Sequence, residues 1–212
     1  MKNVLFLLIA SLCFSLNVMA QSAKDIKLNA PNKKTGSPFM QALADRASVR
    51  EFSTKELSVQ QLSDLLWAAN GVSRADGRRT APSAMNRQDV DVYVIMKSGA
   101  YLYDANNNIL KLVTEGDFRE YVAGRQTSVK DAPVSLVLVS DLSRFGKSDD
   151  KTKLFAAVDV GTVCQNINVF CAATGLATVP RASMDEDKLK EVLKLTDNQL
   201  LLMNNPVGYK KD

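Results

Sequence analysis

Residues 90 to 113 read VDVYVIMKSGAYLYDANNNILKLV, and no other stretch limits the fold as tightly. VDVYVIMK has the β-branched and aromatic content of a strand. GAYLYD and ILKLV flank Ala105-Asn106-Asn107-Asn108, a run suited to a hairpin turn. A hairpin makes its two strands antiparallel, whereas parallel neighbours need long crossovers. PVSLVLVSD at 133–141 is apolar enough for a central strand, QLLLM at 199–203 suits a last one, and helices and strands do not alternate in a βαβ rhythm. The expected class is α+β, with a mixed or antiparallel sheet flanked by helices. No GxGxxG follows a strand and no Walker lysine motif is present, which disfavours a Rossmann or P-loop fold.

The helices are marked by their ends. Ser37-Pro38 offers an N-cap and a first-turn proline ahead of FMQALADR. Ser58 and Gln61 have capping-box spacing before an apolar stripe of Val59, Leu62, Leu65, Leu66 and Ala69, and Asn70-Gly71 closes that helix. A short helix is expected around GDFREYV. A long one is expected from about Lys153 to Thr174, with Val160, Val163, Cys164, Ile167, Phe170 and Cys171 on one side, and a last one is expected to be capped by Ser183 and Glu186. The loop at 73–89, SRADGRRTAPSAMNRQD, is long enough to suggest a functional role.

At the N-terminus Lys2 precedes an apolar run from Val4 to Leu16, and Val18-Met19-Ala20 offers a cleavage site before Gln21. This is the pattern of a secretory signal peptide, residues 1–20. The run is shorter than the roughly 20 apolar residues a membrane span needs, so no span is expected after cleavage. Residues 21–36 are expected to form a linker or extended arm, and 37–212 one domain. The protein is expected to be exported, to a periplasm or beyond the cell.

The chain has 27 Lys and Arg against 23 Asp and Glu, and loss of Lys2 with the leader takes the net charge from +4 to +3. That balance is too mild to argue for nucleic acid or an anionic membrane. Cys164 and Cys171, seven residues apart on one helix, would hold their Cα atoms about 10 Å apart, beyond the ~7 Å reach of a disulfide. They are expected to be buried thiols. There is no histidine, so neither a Ser-His-Asp triad nor a histidine-bound zinc site can form, and no metal site is expected. Chemistry must come from carboxylates, other bases or a borrowed cofactor.

DRASVREF at 45–52 sets Arg46 and Arg50 on either side of Ser48. If the backbone turns there, the two guanidiniums and the hydroxyl can converge on one phosphate. Otherwise Arg46 and Arg50 are solvated charges paired loosely with Asp45 and Glu51.

RASVREF, APSAMNRQ, DAPVSLVLVSD, DVGTVCQNINVFCAATGLATVPRASMD and a closing PVGY, in that order, resemble the nitroreductase family of flavin enzymes. The resemblance covers about residues 38–209. Within the family, the loop RRTAPSAMNRQDVDVYV and the hairpin GAYLYDANNNILKLV look most like the short SagB-type members. The resemblance implies the nitroreductase-like fold, with FMN held at the interface of an intertwined homodimer. It implies hydride transfer at flavin N5 in two half-reactions, with a small-molecule substrate, NAD(P)H as the family's usual donor and no catalytic side chain. Carried over residue by residue, Arg46 and Ser48 match the phosphate and ribityl contacts, and Arg50 the basic residue near the pyrimidine end. Pro82, Ser83 and Ala84 match the loop beneath Asn86, whose amide lies against the flavin's polar edge. Ala182 and Ser183 match the backbone near N5. The pattern departs after Asn86, where the usual Pro-Trp is replaced by Asp89-Val90, so Gln88 is a weaker match. The long C-terminal extension of many relatives is expected to be missing, with Lys210 and Lys211 as candidate substitutes. The alternative is a secreted flavin- or ligand-binding protein that keeps the fold without catalysis.

Overall fold

The structure, a computed structural model, describes residues 24–211; the expected leader, the proposed cleavage site and Cys13 lie outside the described residues. The hairpin forms where the sequence places it. Strands β2 (Val90–Met96), β3 (Gly99–Asp104) and β4 (Ile109–Glu115) run antiparallel, and Asp104 accepts hydrogen bonds from the backbones of Asn106 and Asn107 to close the turn. With β1 (Ile26–Lys27), β5 (Val134–Asp141), β6 (Ala177–Thr178) and β7 (Gln199–Gly208) they make one seven-stranded sheet in the order β1-β4-β3-β2-β5-β7-β6, antiparallel at every pairing. The α+β expectation holds.

Strand periodicity of two sorts the core into two layers. Val134, Leu136 and Leu138 of β5 and Val90, Val92 and Val94 of β2 face helices α2 (Val59–Asn70) and α4 (Asp150–Thr174). Val137, Val139, Tyr93 and Ile95 point the other way, toward α3 (Arg119–Ala123) and α5 (Glu186–Val192). Tyr101 and Tyr103 are buried in the first layer. Each Leu or Val fully removed from water contributes about 1.5–3 kcal/mol before entropy is counted.

The capping box at Ser58 and Gln61 forms as read, and α2 ends at Asn70. Gly71 is extended, not left-handed, and is needed for room: a Cβ there would lie 2.5 Å from the Trp67 ring. The long helix α4 starts three residues before Lys153, because Asp149 accepts from the Thr152 backbone and caps it. Cys164 and Cys171 are free and buried.

Four expectations need correction. Helix α1 (Phe39–Asp45) has Pro38 at its N-cap; Ser37 gives no side-chain cap, and its backbone N–H donates instead to the Ala173 carbonyl. Asp185, not Ser183, caps α5 by accepting from Lys188 N. The described part of the expected linker or arm, residues 24–36, is built into the domain expected to start at 37: β1 pairs with β4, Leu28 enters the core, and the Asn29 and Asn32 backbones donate to Ser63 and Asp64 on α2. Strand β7 continues five residues past QLLLM through Asn204-Asn205-Pro206, because both amides are fully buried yet satisfied, Asn204 by Arg181 and Ser183, Asn205 by Cys164, Asn168 and Thr178.

Candidate functional site

The chain leaving α1 does not turn. Ser48 forms a parallel bridge with Thr178, Val49 N–H donates to the Thr178 carbonyl, and residues 51–53 pair with 209–211. Phe52, with Val49 against it, pins this segment into a small apolar cluster with Ala177 and Val179. Arg46, Ser48 and Arg50 are all exposed. Along an extended path residues four apart have their Cα atoms about 13 Å apart and their side chains on the same face. Arg46 and Arg50 mark the two ends of a strip. Among the described residues neither is in an ion pair, and Asp45 accepts from Gln41 instead, so the loose pairing with Asp45 and Glu51 is not formed.

The segment after β6 comes alongside. Arg50 lies close enough to Arg181 for the two charges to repel, and burial first, then that repulsion, hold the Arg181 guanidinium below its usual proton affinity. Ala182 and Ser183 follow, exposed, at the rim of an open groove of about 950 Å³ lined by Tyr121, Gly124, Arg125, Ser183, Met184 and Asp187. Ser48 and Arg50 thus lie beside β6 and the segment after it, in which Ala182 and Ser183 follow Arg181.

Pro82, Ser83, Ala84 and Asn86 sit elsewhere. Their loop lies on the middle of α4, where Ala84 N–H donates to Asp159 Oδ2 at 2.8 Å and Thr162 Oγ1 donates to the Pro82 carbonyl at 3.2 Å. Helix α1 is tied to α4 at Ala173. At 1.5 Å per residue those anchors are roughly 15–20 Å apart along the helix. No hydrogen bond or ion pair joins the two groups of site residues among the described residues. The two groups of site residues are thus held by different contacts along the chain.

The loop is strained. Met85, Asn86 and Gln88 have φ of 52°, 53° and 48°, a left-handed conformation that costs a non-glycine residue about 1–2 kcal/mol. Its neighbours hold it there: Gln88 N–H donates to Ser83 Oγ, Gln88 O accepts from Arg144, and Gln88 Oε1 accepts from Arg79 Nε. Gln88, the weaker match, is the hub of the loop. The Asn86 amide is exposed, and among the described residues it meets only Gln88, whose Nε2 donates to Asn86 Oδ1 at 3.5 Å. Strain of this kind persists where surroundings over-determine it.

Beneath the loop lie two buried carboxyls that sequence reading missed. Asp159 on α4 faces Asp89; burial first, and the facing Asp89 in addition, push its pKa up to about 6 against the pull of Ala84 N–H. Asp89 Oδ2 accepts from Ser140, and Oδ1 is buried with no partner among the described residues. Asp89 stood in the quoted motif, but nothing in sequence pointed to Asp159, seventy residues on. Nearby, Asn166 donates to the Ala69 carbonyl and Trp67 Nε1 to the Val72 carbonyl. Lys210 and Lys211 are exposed beside Phe52.

Apolar surface is left uncovered near both groups. Phe39, Met40 and Leu43 on α1 and Leu154 and Val158, one turn apart on α4, are exposed, Met40 by 75% and Leu154 by 62%.

Residues 43–209 match the model of the nitroreductase family. A protein of Methanocaldococcus jannaschii assigned by name to the nitroreductases is 30% identical over 178 residues, 79% of this chain and 89% of its own length. A crystal structure from Ralstonia eutropha, assigned by name to the same family, superposes with a TM-score of 0.84 at 34% identity, covering 91% of this chain and 92% of that one. One from Staphylococcus epidermidis, named for NAD(P)H:FMN oxidoreductase activity, shares the fold with a TM-score of 0.64 at 15% identity, covering 86% and 92%.

Proposed function

Because this chain belongs to the nitroreductase family and is an oxidoreductase of that type, we propose that it binds FMN between two copies of itself and passes electrons from a donor to a small-molecule acceptor. The observation that carries the reading is the strip at 46–50. Two arginines without carboxylate partners, a serine between them and a third guanidinium beside Arg50 form an excess of positive charge suited to a long ligand that is anionic at one end and electron-accepting at the other. Arg46 and Ser48 would hold the phosphate and ribityl chain. Arg50 would face the pyrimidine end, where a fixed cation stabilises negative charge gained on reduction. Ala182 and Ser183 would lie along the ring's reactive side, at the mouth of the groove where substrate enters. Bound there, FMN supplies hydride chemistry at N5, which needs no imidazole.

Pro82, Ser83, Ala84 and Asn86 would complete the site from the second copy. Support comes from the spacing of the two groups' anchors along α4 and from the uncovered apolar residues on α1 and α4, which a partner would bury. The narrower likeness to SagB-type enzymes belongs to this proposal, as does export on the 1–20 leader, checked by finding Gln21 at the mature N-terminus. NAD(P)H is the donor to try first, on the analogy of the staphylococcal relative's name; an exported enzyme would need another donor or would run as an oxidation of substrate.

The test is an absorbance spectrum from 300 to 550 nm of the purified protein before and after adding FMN and desalting. Two flavin bands retained at about one per protomer support the reading. A colourless protein that cannot retain FMN overturns it.

A further inference from the structure

Arg181 carries a charge that its surroundings do not balance. It is 6% exposed, and its donors go to Gln126 Oε1 at 2.9 Å, Val122 O at 3.0 Å, Asn204 Oδ1 at 2.9 Å and Ala123 O at 2.8 Å. All four acceptors are neutral. A buried guanidinium is ordinarily paired with a carboxylate, since removing an unpaired charge from water is expensive. Here the charged neighbour that it feels is another cation, Arg50. Val122 and Ala123 end α3, and their carbonyls offset part of the charge, but that helix is five residues long.

The charge is also held in a fixed place. The Arg181 backbone exchanges hydrogen bonds with Asn204 at 2.9 and 2.7 Å, and Asn204 Nδ2 donates to the Ser183 carbonyl at 3.1 Å. Side chain and backbone together clamp residues 181–183 to β7. Ala182 and Ser183, the segment assigned to the flavin's reactive side, are built directly on this clamp.

Resting on the flavin reading above, we propose that Arg181 is a buried positioning residue whose uncompensated charge, fixed beneath Ala182-Ser183 and beside Arg50, raises the reduction potential of the bound flavin. Uptake of one hydride brings the ring two electrons and one proton, leaving one negative charge spread over N1 and the C2 carbonyl. Arg50 meets that charge from the surface; Arg181 adds a field from below that solvent screens less. Leaving Arg181 without a carboxylate keeps that field unspent until the ligand is reduced.

Removing Arg181 would also remove a strut, so the decisive variant is Gln126→Glu. It preserves the acceptor on Arg181 Nε and adds the missing counter-charge at an exposed position. The readouts are the midpoint potential of the FMN-loaded protein by dye equilibration and the thermal midpoint. Gln126→Glu is expected to lower the preference for reduced over oxidised flavin at least tenfold, about 30 mV for a two-electron couple, with an unchanged or higher thermal midpoint. Arg181→Lys, which keeps a charge, is expected to hold a potential nearer wild type while melting earlier. A Gln126→Glu potential indistinguishable from wild type overturns the proposal and leaves Arg181 a strut. An equal fall in Thr127→Glu, which adds the same charge one residue away, also overturns it. Wild-type protein that retains no FMN refutes the flavin reading itself, before any variant is made.

Discussion

Replacing Asp159 with asparagine should stabilise the protein by an amount that grows as pH rises from about 4 to 6 and levels off above that. Asp159 lies on α4, 4% exposed, between the Ala84 N–H and the buried Asp89 carboxyl, whose Oδ1 has no partner among the described residues. Other charged groups around Asp89 are Arg144, which feels its charge, and Asp91 and Asp141, which pair with Arg144. The Asp159 pKa stands at about 6 in the fold against an ordinary 3.8, so the folded state binds this proton more tightly than the unfolded chain does. The sign follows from linkage: the stabilisation is complete below about pH 4 and is lost as pH rises through 6. At 1.36 kcal/mol per decade of proton affinity the loss is about 3 kcal/mol. Asparagine keeps an oxygen for Ala84 N–H, offers an N–H to the orphaned Asp89 oxygen and carries no charge at any pH. Asp159→Asn should therefore melt about 6–12 °C higher at pH 8, at 2–4 °C per kcal/mol for a domain of this size, and close to wild type at pH 3.5. Thermal denaturation followed by circular dichroism across that range is the assay. A difference that does not change with pH, or a variant less stable at pH 8, would refute the assignment of a buried, high-affinity proton to Asp159.

Other outcomes are expected from the same geometry. Arg46→Ala should weaken FMN binding by about 1.5–3 kcal/mol, roughly 10- to 150-fold, if one charge-assisted contact to phosphate is lost; fluorescence quenching gives the number, and unchanged affinity removes the phosphate assignment. Leu154→Glu with Val158→Glu should shift the mass measured by light scattering from two chains to one and release FMN with it; a wild-type protein already monomeric would sink the two-copy site. Burial pushes the Cys164 thiol up to about 11 and raises that of Cys171 further, so neither should react with a thiol reagent at pH 8 until the protein is unfolded.

The layers of this fold were legible because apolar residues repeat at the right periods. Val134 through Val139 alternate between two cores, and α2 announces its start with Ser58 and Gln61. Reading failed where polarity is buried. Asn204-Asn205-Pro206 looks like the end of a strand, and only the partners Arg181, Thr178 and Asn168, drawn from distant segments, let β7 continue through it. The caps at Ser37 and Ser183 failed for a related reason: a serine before a helix is one of several possible acceptors, and Asp185 stood closer. The site divided in the same way. Exposed residues of the quoted motifs could be named from order along the chain. Asp159 and Arg181, which work on them from below, have no local pattern, and a single buried charge is visible only after the chain has folded around it.

The sheet has two short ends. Its outermost strands, β1 and β6, are two residues each, and beyond β1 the Asp25 side chain takes the Leu112 N–H of β4 for itself. Outer strands this short are one way a sheet blunts its margins against templating by another chain. The uncovered apolar surface lies instead on the side chains of α1 and α4, at Phe39, Met40, Leu43, Leu154 and Val158.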